Sequence, residues 1–535
     1  MPTTPGSSSS LLLKLLAAGC ALLPTFLAAQ PVTTVIQHIA DGDLQGVVSN
    51  DGRVRAFKGI PYAAPPVGPL RWQPPQPVAP WTGVRDATRF GPRAMQNHIW
   101  DDMFFFDAGP SEDCLYLNVW APAKPAAAKL PVMVWIYGGG FIAGGTSEPR
   151  QNGADLCQKD VVVVSMGYRL GIFGFYAHPE LTAESPRHAS GNQGLLDMVA
   201  ALQWVKKNIA DFGGDPDNVT IFGESAGSFA VSTLMASPLA QGLFHKAIGE
   251  SGAMFGSMRP TRSLAAAEAG GLKFAQDAFG TTSLEKLRAL PAQEILDAAM
   301  KPAGRDGYGP DVDGWFLPAD CPSIFAAAKQ AHVPLLAGWN LDEGGAGALF
   351  GRDEPTLASY RAHAQARFGD QADEFLKAYA ATDDAGAKRA AADFGGDLFI
   401  GYSTWKWLDA HVATGGQPVY RYHFEQKLPV DANARPGTEP VANHSGEIEY
   451  VFQVLWSKRL EFGPDDRQVS ALMGSYWTNF AKTGNPNGPG LPEWPQYTPA
   501  AGYPVMHLKP DAAAAPDAQR ARYEFLEKNG FGKNQ

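Results

Sequence analysis

Cysteine is scarce in this chain: 535 residues carry four, and one of them, Cys20, falls in a segment that reads as removable. Cys114, Cys157 and Cys321 remain, an odd number, so at least one thiol stays free or pairs between chains. A disulfide framework therefore does not explain the fold. Long basic runs are also missing and the net charge is −10, which leaves no electrostatic footprint for nucleic acid and excludes it as an expected partner. There is no His-Glu-x-x-His pair, no Walker loop and no full dinucleotide fingerprint, so neither a metal nor an organic cofactor is called for. No uninterrupted apolar stretch is long enough to span a bilayer comfortably. The nearest, residues 11–29, is broken by Lys14, Pro24 and Thr25. A polar start, Lys14, an apolar run and the small pair Ala28-Ala29 have the order of a signal peptide cleaved near Ala29. The expectation is an exported protein, periplasmic or secreted, without stable membrane insertion afterwards. Ala17-Ala18-Gly19-Cys20 would suit a lipoprotein, but no basic residue precedes Lys14, which favours plain export. A buried N-terminal helix is the alternative, and the absence of an amphipathic period disfavours it.

What is present is material for a large core. Apolar residues make up 45% and charged residues 18%, the balance of a folding chain. Length alone would suggest two or more domains, yet α/β enzymes with long insertions often run as one, and residues 30–535 are read as a single domain. Short apolar runs alternate with helical patterns, the mark of a mostly parallel sheet flanked by helices. Residues 131–137, 161–165 and 218–222 read as central strands, the second by its β-branched run. Residues 226–236, rich in small and apolar side chains and free of Pro, read as a buried helix. Helix formers dominate 264–296 and 356–412, which suggests insertions forming a lid or gorge wall. Residues 419–424 alternate with period two and return the chain to the sheet, while 484–499, dense in Pro, Gly and Asn, reads as surface loop. No repeat is visible.

Gly223-Glu224-Ser225-Ala226-Gly227 matches the nucleophile elbow, a sharp strand-to-helix turn that lifts a serine hydroxyl above the sheet edge. Three fixed letters are weak in a chain with 58 glycines, and a glycine-rich structural turn is the bland alternative. The position between an expected strand and an expected helix is what gives the motif weight. Acyl transfer also needs backbone N–H donors around the developing oxyanion. Gly138-Gly139-Gly140-Phe141, after another expected strand, resembles the glycine-rich loop that supplies them in lipases and esterases, with the N–H of Ala226 as the donor beside the nucleophile. Phosphate binding by the Gly138 to Gly145 stretch is the competing use.

A serine nucleophile needs a base and an acid, and in this fold the chain order is Ser, acid, His. The late histidines are His363, His411, His423, His444 and His507. The first two lie in helical patterns and His423 in a strand pattern, where structural roles are expected. His444 sits in a polar turn, and position puts it first, with His507 next. The acid follows the apolar run ending at Asn340, and position cannot separate Asp342 from Glu343.

Together these residues resemble the type B carboxylesterase family, which includes the cholinesterases. The resemblance runs from about Gly46 to Pro499. It is carried by Phe57-Lys58-Gly59-Ile60-Pro61-Tyr62-Ala63, by Ser111-Glu112-Asp113-Cys114-Leu115-Tyr116-Leu117-Asn118-Val119, and by Phe212-Gly213-Gly214-Asp215-Pro216 through Gly227. It implies an α/β-hydrolase fold, Glu343 of the Asp-Glu-Gly triplet as acid, and His444, ahead of Glu447-Ile448-Glu449, as base. It also implies oxyanion donors at Gly139, Gly140 and Ala226, supporting roles for Glu224 and Ser251, and a structural ion pair between Arg71 and Glu112. Two family disulfides lack their cysteines: Ala94 stands where a partner of Cys114 would fall, and Lys286 near a second position. The loop from Ala94 to Cys114 is therefore expected to be untethered, and its Trp100, Phe104, Phe105 and Phe106 are candidates for the substrate pocket. The expected activity is cleavage of a small-molecule carboxylic ester through an acyl-enzyme. The same chemistry on a carbamate, amide or lactone, and a non-catalytic cholinesterase-like binding protein, are the alternatives. Oligomeric state is not readable from the sequence.

Overall fold

The computed structural model describes residues 33–256, 261–301 and 308–531. The expected signal peptide, 1–29, lies outside them. A 13-stranded sheet organises the chain, and its order departs from the sequence order in the way a doubly wound α/β sheet requires. From Val162–Met166 the strands Leu130–Ile136, Gly214–Glu224, Lys246–Glu250, Leu335–Asn340, Val419–Phe424 and Pro504–Leu508 follow in parallel. Tyr116–Pro122 and the strands before it, Thr34–Ile39, Gly42–Val48 and Val54–Pro61, extend the other edge in antiparallel pairing.

The run of valines in Val162–Met166 is buried throughout, as expected of a strand covered on both faces. Helices Gln193–Asn208, Ala226–Ala236 and Pro464–Thr483 pack on the sheet. Trp135, Phe222 and Phe452 meet there with ring centroids 4.8–5.6 Å apart. The first insertion forms helices Leu264–Phe279, Leu284–Ala289 and Ala292–Ala299. The second forms Leu357–Phe368, Ala372–Ala378, Asp384–Gly396 and Tyr402–Thr414, the last two joined by a π-helical turn, Asp397–Gly401.

Two expectations need correction. The 484–499 segment is a loop, but Trp494 and Tyr497 are buried, so its aromatic side chains anchor it in the core. The loop from Ala94 to Cys114 is tethered without a disulfide. Arg93–Ala94 pairs with Pro110–Ser111, the Arg93 guanidinium contacts Asp107 at 2.5 Å, and Ser147 Oγ donates to the same carboxylate at 2.5 Å. Gln96 holds Gly144 from both sides, donating to its carbonyl at 2.7 Å and accepting from its N–H at 2.9 Å. The three cysteines in the described residues are buried and free.

Candidate active site

The Gly214–Glu224 strand ends in a turn at Ser225, whose φ of 54° places a non-glycine residue in the left-handed region. That conformation is costly and persists only where surrounding structure enforces it. Enforcement comes from both sides: the Ser225 N–H donates to Glu250 O at 2.9 Å, and Phe229 N–H caps the Ser225 carbonyl at 2.9 Å. The helix must then leave at once under the neighbouring strand, and a Cβ on Gly227 would lie 2.0 Å from Ile136 O. Phe141 and Ser445 are strained in the same sense and, with Ser225, line one cavity of about 950 Å³.

Gly139, Gly140 and Ala226 also line that cavity. Gly139 has φ of 105°, and a Cβ there would sit 2.2 Å from Ala143 O, so the tight loop after Leu130–Ile136 requires glycine. The Gly139 carbonyl closes this loop by accepting from the N–H groups of Ile142 and Ala143. Ala226 stands at the first turn of its helix, where backbone N–H groups have no intrahelical acceptor. Glycine backbone and the start of a helix therefore form the cavity wall beside Ser225.

Over the hydroxyl hangs His444. Its Nε2 lies 2.9 Å from Ser225 Oγ and its Nδ1 2.6 Å from Glu343 Oε2. The loop that carries it is fixed by Asp342, whose carboxylate accepts from Ala442 N–H at 2.8 Å and binds Arg389 at 2.6 Å. Asp342 thereby shapes the loop, and its neighbour Glu343 faces the imidazole. The second Glu343 oxygen accepts from Ser251 Oγ at 2.5 Å and from Asn340 N–H at 2.8 Å. Asn340 Nδ2 in turn donates to Glu447 at 2.6 Å and to Asn443 O at 2.8 Å. Glu224 Oε1 approaches His444 Nε2 at 3.3 Å. Burial disfavours the imidazolium, but the carboxylates of Glu224 and Glu343 outweigh it and hold the His444 pKa well above the ordinary imidazole range. Burial pushes the carboxyls of Glu224 and Glu447 upwards.

The other histidines are engaged elsewhere: His363 with Asp353, His411 with Val333 O, and His423 and His507 with Glu425. Of the four aromatic pocket candidates, Trp100 lines the cavity, together with Met103 from the same loop. Phe104 and Phe106 are instead 63% and 70% exposed, and Phe105 lies under the Arg93 guanidinium at 4.5 Å. None of these three lines the cavity, which corrects their expected placement. Sequence reading missed Phe399, which comes from the π-helical turn, lines the cavity and packs edge-on to His444 at 5.1 Å. A regular helical period gives no sign of such a turn.

The carboxylesterase family profile matches residues 32–526. The chain belongs to the carboxylesterase family. It is a serine hydrolase of carboxylic esters. Fumonisin B1 esterase from Sphingopyxis macrogoltabida is 40% identical over 86% of this chain and 84% of its own. Liver carboxylesterase from Sus scrofa is 35% identical over 91% and 92%. A solved pNB esterase structure, 33% identical, superposes with a TM-score of 0.77 over 92% of this chain and 99% of that one. In this carboxylesterase the Arg71 guanidinium grips Glu112 with two contacts of 2.6 Å and donates to Leu290 O at 2.7 Å, tying the loop to the first helical insertion. No described helix is long and apolar enough to cross a membrane.

Proposed function

We propose that Ser225 is the nucleophile, His444 its general base and acid, and Glu343 the carboxylate that orients the imidazole. The observation that carries this reading is the continuous hydrogen-bonded line from Ser225 Oγ through His444 to Glu343, at 2.9 and 2.6 Å. His444 Nε2 takes the hydroxyl proton as Oγ attacks the ester carbonyl. The N–H groups of Gly139, Gly140 and Ala226 hold the oxyanion. The imidazolium then protonates the departing alcohol, and water repeats the sequence on the acyl-enzyme. Glu343 stays ionised throughout, with Ser251 and Asn340 fixing its second oxygen.

The cavity beside Ser225 is walled by Trp100, Met103, Phe141, Phe229, Phe399 and Ile448, which favours an apolar group on at least one side of the ester. Residues 1–29 act as an export signal, and the enzyme works outside the cytoplasm. Hydrolysis of p-nitrophenyl esters from acetate to palmitate by wild type and Ser225→Ala tests the assignment. Turnover is expected to fall by about 10⁴-fold or more in a folded variant. Comparable rates in the two proteins would remove Ser225 from the reaction.

A further inference from the structure

Far along the sheet from Ser225, the ends of Val419–Phe424 and Pro504–Leu508 bring His423, Glu425 and His507 together. Parallel register sets His423 opposite His507, and Glu425, two residues on from His423, falls on the same face of the extended chain. Glu425 N–H also donates to Leu508 O at 3.0 Å, which fixes the carboxylate at the junction. His423 Nδ1 lies 3.0 Å and His507 Nδ1 2.5 Å from the one oxygen Glu425 Oε1, and one ligand atom from each residue falls within 4.8 Å of the others.

We propose that His423, Glu425 and His507 form a structural site for a divalent transition metal ion of the zinc class. Two imidazoles and one carboxylate are the donor set of such ions, whereas calcium and magnesium favour all-oxygen shells. A tetrahedral ion with bonds of about 2.0–2.2 Å sets its ligands about 3.3–3.6 Å apart, so each ring nitrogen draws back from Glu425 Oε1 by about an ångström or less to admit it. Each ring then keeps its proton on Nε2 and offers the Nδ1 lone pair, and water takes the fourth position. His423 is 4% exposed, while the partly exposed His507 gives the ion a path in. Lys509 Nζ stands 3.5 Å from Glu425 Oε2. It occupies the oxygen that the rings do not use, and it orients the carboxylate from outside. Arg421, next on the same face, is paired with Asp517 and stacked on Trp339 at 4.2 Å, so its charge is already compensated. The ion would clamp two strands that share only the short pairing from Tyr422–Met506 to Phe424–Leu508. No sequence motif announces the site, because His507 lies 82 residues from Glu425.

The test is calorimetric titration of zinc into chelator-stripped, untagged full-length enzyme, beside His507→Gln and Glu425→Gln. Wild type is expected to bind one equivalent, each variant to bind at least about tenfold more weakly, and both variants to keep wild-type esterase activity. Cobalt in place of zinc should give the intense visible bands of a tetrahedral site in wild type, a readout independent of how the variants fold. No binding by wild type overturns the proposal. So does undiminished affinity in both variants, particularly with loss of esterase activity on adding zinc, which would place the ion at His444.

Discussion

At the scale of single residues, the chemistry depends on how strongly His444 holds its proton. Glu224 is the largest of the charges that raise it, so removing that charge lowers the pKa of the base. The acid limb of kcat/KM reports the free-enzyme base. It is expected above the ordinary imidazole value of about 6.5 in wild type and at lower pH in Glu224→Gln; a limb that stays in place would deny Glu224 this influence. The residue scale is also where the sequence was least sufficient by itself. Asp342 and Glu343 are adjacent acids in one loop, and nothing in the string says which faces the imidazole. The backbone N–H of Ala442, which Asp342 accepts, comes from 100 residues away. Position put His444, in its polar turn, ahead of His507 but could not decide between them for the same reason. Their partners, Ser225 and Glu425, are set by strand order.

At the scale of elements, strands and helices of the sheet were legible because burial on both faces leaves continuous apolar runs, as in Val162–Met166, and because the elbow fixes where the Ala226–Ala236 helix begins. The Val419–Phe424 strand was legible too, but its alternation is not an exposure pattern: all six positions are buried, with Arg421 paired to Asp517 and His423 to Glu425. The loop from Ala94 to Cys114 was misread as untethered because its ties are a buried ion pair and backbone contacts, which leave no pattern of spacing. Asp107 is the centre of those ties, with a side chain 1% exposed. Asp107→Asn leaves Arg93 without its counter-charge and should cost about 3 kcal/mol of stability by denaturant midpoint. Because Trp100 and Met103 ride on this loop and line the cavity, KM should rise more than kcat falls. Unchanged stability and KM would show the loop to be held otherwise.

At the scale of the whole molecule, an extended aromatic and aliphatic core about the sheet does the work that disulfides do in small exported proteins. Cys114, Cys157 and Cys321 are buried, and burial raises each thiol pKa, which keeps them unreactive. A thiol reagent should therefore modify none of the three in the native enzyme and all three after denaturation. Dithiothreitol should leave the melting temperature unchanged. Rapid native labelling, or destabilisation on reduction, would contradict a fold stabilised without covalent cross-links.

The identity of the nucleophile is the claim on which the rest depends, and covalent labelling tests it most directly. Wild-type enzyme treated with a fluorophosphonate and digested should yield one modified peptide, with the adduct on Ser225. Labelling should vanish in Ser225→Ala and slow sharply in His444→Gln. An adduct on another residue, or no adduct on folded and active enzyme, would contradict the assignment.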